Sequence, residues 1–295
     1  MESKPFKSVN EQIDILIDRG LTVDDRSYAY SVLSHVNYYR LSGYTLTLRK
    51  NDEFYKNVTL EQVMQIYNFD AELRSLLLYF LENIEVSFRA HLGYFHSEKY
   101  GPLGYMDKDN FVDARHYDIF YQEIKRIKDD ERNEVFIKHH NENYNKQFPF
   151  WVVVELMSFG CLSRGFKNLH EDIKVHICKE HYSPIPYYYI ENWLQGFVIL
   201  RNICAHRGRL YNRYITYVPK LSPKDKKLFK RYNLDLNKET KQIFTYIYVM
   251  NKLIGDEVIM DSFIYKFKEL IVKYPFVKLS HYGFPDDWEK LLNYK

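Results

Sequence analysis

Apolar side chains recur at intervals of three and four residues along most of this chain, which is the spacing of amphipathic α-helices. The pattern predicts one helix after a capping-box pair at Ser8 and Glu11, and a second helix over residues 24–39. The longest pattern predicts a helix, or a broken pair of helices, over residues 60–100. Its apolar positions are Val63, Tyr67, Leu73, Leu77, Phe80, Leu81, Ile84 and Phe88.

Helical spacing continues, with one interruption, through the second half of the chain. Further helices are predicted over residues 117–128, 149–169, 239–254 and 257–273. A charged stretch that runs on to Asn145 is interpreted as an exposed linker. Ser183-Pro184 is expected to open the helix that carries residues 201–213, because proline is tolerated in the first helical turn. Since no strand ladder is recognisable, the fold class predicted is all-α.

The composition is that of an ordinary folded protein with many aromatic residues. The 295 residues include 28 Tyr and 20 Phe, and 46% are hydrophobic, enough for one helical unit over 1–295 or for two parts, 1–145 and 146–295. The formal net charge is only +3, so any RNA site must be local. Three cysteines without a CxxC pair predict neither disulfides nor structural zinc. The absence of an apolar signal core and of a membrane-length stretch leads us to expect a cytoplasmic protein.

The segment RNICAHRGRLYNR, residues 201–213, carries the candidate chemistry. Asn202 and His206 are four residues apart, so a helix places them on one face with Arg201 at its edge. Histidine can act as acid or base near neutral pH, and the planar arginine fork matches phosphate oxygens. An asparagine next to the imidazole can orient it. These three residues are the predicted catalytic group, and no carboxylate cluster suggests a metal or other cofactor.

Four residues that follow the catalytic group are predicted to bind the RNA backbone. Arg209 and Arg213 continue the spacing of the helical stripe, and Arg207 is added from the same helix geometry. Asn212 completes this set, on the basis of the resemblance described next. The opposite face of the helix carries Trp193, Phe197, Leu200 and Cys204 and is expected to pack into the core.

The Arg–polar–x3–His string resembles the signature of the HEPN superfamily. Over nearly its whole length the chain also resembles the Abi-like family, or AbiD/AbiF-type abortive-infection proteins. The matching stretches are YYRLSGY (38–44), LENIEVSFR (81–89), YGPLGY (100–105), 149–169, 201–213 with Arg209 and Asn212 in their expected places, and GFPDDW (283–288). This resemblance implies a HEPN-type helical bundle with additional N- and C-terminal helices.

The same resemblance implies a bacterial phage-defence or toxin role through metal-independent RNA cleavage. The products would be a 2′,3′-cyclic phosphate and a 5′-hydroxyl, with Arg201, Asn202 and His206 as catalytic residues. Some relatives associate with a small structured RNA, which is a further candidate partner. Non-catalytic binding of RNA or of another protein by the same helix edge stays open as the alternative function.

One motif supplies only one histidine, whereas concerted cleavage needs both a base and an acid. HEPN nucleases pair two motif helices in a two-fold dimer, so a homodimer is predicted with its interface close to residues 201–213. An intramolecular alternative uses Arg89 and His96, which stand at a permitted spacing. It is weaker because Ala90 occupies the position where the motif has a polar residue.

A tyrosine triplet and a basic run lie outside the motif and are further candidates for RNA contact. Tyr187, Tyr188 and Tyr189 could stack bases near the entrance of the site, although packing at a helix start explains them equally well. The basic run over residues 224–231 could contact phosphates, but such runs are usually solvated helix faces.

Overall fold

A helix of 41 residues, α4 (Leu60–Tyr100), forms the axis around which the other elements pack. It begins at a capping box formed by Thr59 and Gln62 and ends at Gly101, whose φ of 77° stops the helical path. At 1.5 Å per residue it is about 61 Å long. The sequence pattern predicted these bounds, and of the two possibilities it left open, one helix or a broken pair, the structure has the single helix.

The structure is a computed structural model that describes residues 5–129, 135–144 and 147–293. Within these ranges the chain is all-α, as predicted, with a single small hairpin. The helices that precede and follow α4 are α1 (Val9–Asp18), α2 (Arg26–His35), α3 (Tyr38–Ser42), α5 (Ala114–Asp129), α6 (Val135–Asn143), α7 (Phe150–Leu156), α8 (Phe159–Asn168), α9 (Glu171–His181), α10 (Tyr187–Ala205), α11 (Pro223–Arg231), α12 (Ile243–Ile254), α13 (Glu257–Lys273) and α14 (Trp288–Leu292). Short 3₁₀ helices span Gly104–Met106, Lys108–Asn110, Glu239–Lys241 and Leu279–Tyr282.

The hairpin pairs β1 (Arg49–Lys50) with β2 (Glu53–Phe54) in antiparallel fashion. Its two turn residues, Asn51 and Asp52, have φ values of 50° and 67°, which suits the tight turn of a two-residue hairpin loop. The element is too short to have been predicted from alternation of apolar residues.

Several predicted helices are divided or displaced by local capping. The helix predicted over residues 24–39 is two helices, because Val36 is extended and Asn37 caps α3 by accepting the Tyr39 N–H. The helix predicted over 149–169 is also two, since the Ser158 hydroxyl caps α8. The motif helix α10 begins at Tyr187 after Pro186, rather than at Ser183-Pro184.

Other differences concern elements of low hydrophobicity. Helices α9 and α11 were not predicted, and Glu239–Lys241 precedes α12 as a 3₁₀ helix rather than extending it. Part of the charged stretch interpreted as a linker is the helix α6. The rest of that stretch includes residues 130–134 and Asn145, which lie outside the described residues.

Tyrosine contributes heavily to the core. Six fully buried tyrosines are Tyr44, Tyr105, Tyr211, Tyr246, Tyr248 and Tyr282. Several of their hydroxyls reach polar partners, as Tyr105 does in donating to the Phe148 carbonyl over 2.9 Å. Helix α4 packs against α7, α8, α10 and α13, so both parts of the chain contribute to one core. The subdivision at residue 145 stays a prediction.

None of the described helices combines the length and the apolar character that a bilayer crossing would require.

Candidate functional site

Helix α10 holds the motif between the core and solvent. Its inward face is buried as predicted, with exposed fractions of 3% or less at Trp193, Phe197, Leu200 and Cys204. Its other face carries the catalytic candidates: Asn202 and His206 are exposed, and the Arg201 side chain is 32% exposed. The predicted catalytic edge is therefore open to a ligand and has a rigid apolar back.

The helix ends immediately before the histidine. His206 is the C-cap residue, and Arg207 adopts a left-handed conformation with φ of 55°. The N–H of Arg207 donates to the Cys204 carbonyl over 3.0 Å, and that of Gly208 donates to the Ile203 carbonyl over 2.7 Å. This pair of hydrogen bonds is a Schellman motif.

The expectation that Arg209 and Arg213 continue the helical stripe is therefore wrong. Gly208 explains why the chain turns here, since an added Cβ would stand 3.0 Å from the Ile203 carbonyl oxygen. Beyond it the chain folds back toward the N-terminal part of the protein. His206 thus sits at the junction between a helix end and a tight turn.

Arg201 lies beside an acidic residue of α4. Its Nη2 is 3.7 Å from Oε2 of Glu85, and its Nη1 donates to the Asn202 side-chain oxygen over 3.2 Å. Glu85 also pairs with Arg89, which in turn donates to the carbonyl of Glu155 over 2.8 Å. One carboxylate therefore holds two guanidinium groups at the edge of the motif.

The Asn202 side chain therefore accepts a hydrogen bond from Arg201 and forms none with the imidazole of His206. Asn202 and His206 are both described, and the only hydrogen bond between them is the helical one from the His206 N–H to the Asn202 carbonyl, 3.0 Å long. The expected orientation of the imidazole by the Asn202 amide is thus not seen. The amide instead fixes the arginine next to it.

A groove of about 510 Å³ opens between α4 and α10 at this point. Arg201 and Ala205 form one wall, and the side chains of α4 form the other. Those α4 residues are Leu78, Tyr79, Glu82, Glu85, Val86 and Arg89. Because Tyr79 and Val86 are 54% and 57% exposed, the groove has an apolar rim as well as a charged floor.

A buried polar network holds residues 207–211, the turn that follows His206, which we call the motif turn. Asp70 of α4 is fully buried, and its carboxylate accepts the backbone N–H groups of Leu210 and Tyr211 over 3.1 and 2.8 Å. The Tyr44 hydroxyl donates to it over 2.9 Å, and Arg74 pairs with it one helical turn away. Burial raises the pKa of the Asp70 carboxyl, while Arg74 and the hydrogen-bond donors oppose that rise.

A second contact fixes the turn from α3. Arg40 donates to the Arg207 carbonyl over 2.6 Å, and its guanidinium lies over the ring of Tyr67. Gly43 allows the Arg209 side chain to approach, since an added Cβ would be 3.1 Å from the Arg209 Nε. Residues 38–44 therefore contact the motif turn directly.

The four predicted RNA-binding residues lie in or after the turn. The Arg207 side chain is exposed. Arg209 donates to the Tyr211 carbonyl over 2.6 Å, and Arg213 donates to the Arg209 carbonyl over 3.3 Å. Asn212 is left-handed, with φ of 47°, and its N–H donates to the His281 carbonyl. Two of these arginines thus brace the turn, and their contact with RNA stays a prediction.

The intramolecular alternative based on Arg89 and His96 is wrong. His96 is fully buried, with its ring centroid 4.8 Å from that of Phe150 and 5.1 Å from that of Phe111. Burial lowers the pKa of this imidazole to about 4, and neither ring nitrogen has a hydrogen-bond partner. No RNA phosphate can reach it.

Sequence reasoning missed Asp70 and Glu85. A signal for Asp70 was present: it stands with Arg74, four residues later, within the apolar stripe of α4. A charged pair at such positions is rarely buried without a structural purpose. Glu85 lies in the stretch 81–89, but nothing local indicates that it faces α10.

Of the two interpretations of the tyrosine triplet, a place near the entrance of the motif site is wrong, whereas a place at a helix start is confirmed. Tyr188 stands fourteen residues before Asn202 on α10, which separates them by about 21 Å along the helix. It therefore lies far from the motif end of α10.

Within residues 5–129, 135–144 and 147–293, no three His, Cys, Asp or Glu side chains converge in a group that could hold a metal ion.

Comparison with protein families finds one match, to the family described as Abi-like protein, over residues 31–212. The matched region is more than half of the chain, and it contains α3, the Asp70 network, Glu85 and the motif turn. Comparisons with curated proteins and with solved structures found no match.

Proposed function

Because the chain belongs to the Abi-like protein family, we propose that it serves abortive infection, as a phage-defence protein or toxin, by cutting RNA. In finer terms it is a metal-independent endoribonuclease of the HEPN type, related to AbiD/AbiF proteins, and it acts in the cytoplasm. A small structured RNA is a candidate regulatory partner, on the basis of the resemblance alone.

The observation that carries this proposal is the exposed cluster at the C-terminal end of α10. Asn202 and the C-cap residue His206 are exposed, Arg201 is 32% exposed and donates to the Asn202 side chain, and the helix that carries them is anchored by a buried apolar face. Preorganisation of this kind lets charged groups stabilise a transition state without reorganising. An edge sealed inside the fold would have been incompatible with the function.

The chemistry requires a base, an acid and positive charge. The ribose 2′-oxygen attacks the adjacent phosphorus as a base removes its proton, and the bond from phosphorus to the 5′-oxygen breaks as an acid protonates that oxygen. The products are a 2′,3′-cyclic phosphate and a 5′-hydroxyl. Arg201 stabilises the negative phosphorane, and His206 performs one proton transfer.

The second proton transfer calls for a second imidazole, and we place it on another copy of the chain. A two-fold homodimer would bring two α10 ends together around one phosphodiester. The apolar rim of the groove supports this arrangement, because exposed Tyr79 and Val86 lie beside Arg201. Burying such residues between copies is a common way to stabilise a dimer.

Cleavage of a mixed RNA pool in EDTA tests the proposal. The wild-type protein is compared with His206→Ala and with a matched control, His35→Ala, which removes an exposed histidine from α2. We expect the His206 variant to lose about 10²-fold or more in rate and the control to lose nothing. The wild-type products are expected to carry 2′,3′-cyclic phosphate ends.

Two results would contradict the proposal. Equal cleavage by wild type and by His206→Ala would remove the assignment of the histidine. RNA binding without cleavage by the wild type, with the dimer formed, would favour the alternative of a non-catalytic RNA-binding or protein-interaction module.

A further inference from the structure

The tyrosine triplet and the basic run, which have no role in the motif site, meet in one groove at the N-terminal end of α10. The groove has a volume of about 460 Å³. It brings the tyrosine triplet together with the basic helix α11, although the two are separated by more than thirty residues in sequence. Its lining residues are Tyr188, Tyr189, Val218, Pro219, Lys220, Leu221, Lys226, Leu236 and Thr240.

The aromatic wall consists of rings braced from behind. Trp193 is buried and packs against Tyr189, with ring centroids 5.8 Å apart. Tyr189 supports Tyr188, whose centroid is 4.8 Å away and whose plane is tilted by 39°. Tyr188 remains 47% exposed. A ring that is held in place and open to solvent can accept a base by stacking, at little entropic cost.

The basic wall carries two exposed lysines, Lys220 and Lys226. Neither side chain forms an ion pair with any carboxylate whose side chain the structure describes, a set that does not include Glu239. The acidic residue nearest in sequence, Asp225, is buried and is neutralised by Lys252 and by a hydrogen bond from the Tyr248 hydroxyl. Two ammonium groups therefore remain available for an anion beside the exposed ring.

The backbone that carries these lysines is fixed on both sides. The Trp193 indole N–H donates to the Lys220 carbonyl over 2.8 Å, and the Lys220 N–H donates to the Asn192 side-chain oxygen over 2.6 Å. Lys226 stands in the first turns of α11, which a Ser222–Asp225 capping box secures. The groove is thus preformed, with aromatic and basic walls at set positions.

We propose that this groove binds a segment of single-stranded RNA. A base stacks on Tyr188, and the flanking phosphates contact Lys220 and Lys226. An unpaired strand is favoured because a duplex hides its base faces, whereas stacking on a protein ring needs one exposed. This inference rests on the proposed function in one respect only, which is that the ligand is RNA.

The position of the groove gives it a distinct use. It lies about 21 Å along α10 from Asn202, a distance that about six stacked nucleotides cover at 3.4 Å each. One strand of moderate length can therefore occupy both places. The groove would select substrates with an unpaired segment on one side of the cut.

Fluorescence anisotropy with labelled RNA tests this site in the full-length His206→Ala protein. Twelve-nucleotide single strands of mixed sequence are titrated into this protein and into versions that also carry Tyr188→Ala, Tyr188→Phe or Lys226→Gln. The matched control is Tyr265→Ala, which removes a tyrosine of α13 that is 64% exposed. A blunt-ended RNA duplex of twelve base pairs, which has no unpaired nucleotide, serves as competitor.

We expect Tyr188→Ala to weaken binding about tenfold, and Tyr188→Phe and Tyr265→Ala to leave it nearly unchanged. Lys226→Gln should lower the slope of log affinity against log salt by about 0.7, since one phosphate contact is lost. Equal affinity for Tyr188→Ala and Tyr265→Ala would overturn the proposal. Competition by the duplex as strong as that by the single strand would also overturn it.

Parallel cleavage assays with the protein that retains His206 separate this proposal from the ribonuclease proposal. RNA binding that depends on Tyr188, without any cleavage, would overturn the nuclease and keep the groove. Cleavage that is indifferent to Tyr188 on long and on short substrates would do the reverse.

Discussion

The carboxylate of Asp70 accepts the backbone N–H of Tyr211 over 2.8 Å, across 141 positions of sequence. This contact ties the middle of α4 to the turn that follows His206. The same carboxylate accepts the Leu210 N–H, so two consecutive amides of the turn are held by one buried residue. The placement of His206, the proposed catalytic histidine, therefore depends on a buried residue of another helix.

Substitution Asp70→Asn should destabilise the protein and disorganise the motif turn. An asparagine cannot neutralise Arg74, and it replaces one acceptor oxygen by a donor, so a buried charge is left without its partner. The expected loss is about 3 kcal/mol in the free energy of unfolding, measured by urea denaturation. RNA cleavage should fall even at temperatures where the variant remains folded.

The control for Asp70 lies two residues away on the same helix. Glu72→Gln breaks an exposed pair with Lys273, whose side chains are 39% and 58% exposed, and should cost less than about 1 kcal/mol. Equal costs for the two variants would show that Asp70 is not the anchor of the turn.

Glu85 positions the predicted catalytic arginine, and Glu85→Gln should lower kcat more than it changes KM. The substitution keeps the shape but removes the charge that holds Arg201 and Arg89 together. We expect kcat for RNA cleavage to fall about tenfold, with KM unchanged or lower because a negative charge has left an RNA groove. Steady-state kinetics on one defined substrate provides the measurement.

Glu82→Gln is the matched variant for Glu85. Glu82 lines the same groove, yet it pairs with no cation in the described part of the chain. Its substitution removes the same charge from the groove and should leave kcat unchanged. A tenfold fall in kcat for both variants would point to groove charge in general and not to the positioning of Arg201.

Val86→Glu should dissociate the proposed dimer. Val86 is 57% exposed on the rim of the groove, and a carboxylate placed there would meet its own symmetry mate and the acidic residues around it. Sedimentation velocity at micromolar protein should change from dimer to monomer, with loss of cleavage. Val272→Glu on α13, at a position 80% exposed, should leave both unchanged. A wild-type monomer with full activity would refute the paired site.

His96 should make the fold sensitive to acid. Its pKa is lowered by burial to about 4 from an ordinary value near 6.5, so the unfolded chain binds a proton more readily than the folded chain. This contribution to stability is complete above pH 6.5 and is lost as the pH falls toward 4. The free energy of unfolding should then decline by up to about 1.4 kcal/mol per pH unit from this residue alone.

Replacing that histidine tests its share of the pH dependence. His96→Phe places an apolar ring among Phe111, Phe150 and Tyr100. The variant should show a flatter stability profile between pH 6.5 and 4 than wild type. His91, whose pKa burial also lowers to about 4, will keep part of the slope. An unchanged profile would mean that His96 does not titrate on unfolding.

Local sequence signals predicted the elements whose determinants are local. The bounds of α4 follow from an apolar stripe, a capping pair at Thr59 and a glycine–proline stop. The split at Val36 and Asn37 was missed, because an asparagine within an apolar pattern does not reveal whether it caps a new helix. The end of α10 was missed for a similar reason: Gly208 was visible, but the left-handed Arg207 was not.

The candidate site was predictable in its residue types but not in its supports. Arg201, Asn202 and His206 were identified because their chemistry is carried by spacing within one helix. Asp70 reaches the turn after α10, and Glu85 reaches Arg201 on α10, both from α4; such contacts depend on tertiary packing that no local pattern encodes. The groove formed by Tyr188 and Lys226 was hidden in the same way.

The turn after His206 gathers its supports from distant parts of the polypeptide. Arg40, Asp70 and the carbonyl of His281 all bind it. A ribosome must therefore have synthesised the chain as far as His281 before the last of these supports exists. For the ribonuclease proposed above, synthesis itself would then act as a safeguard, because a chain shorter than 281 residues lacks one support of the turn beside His206.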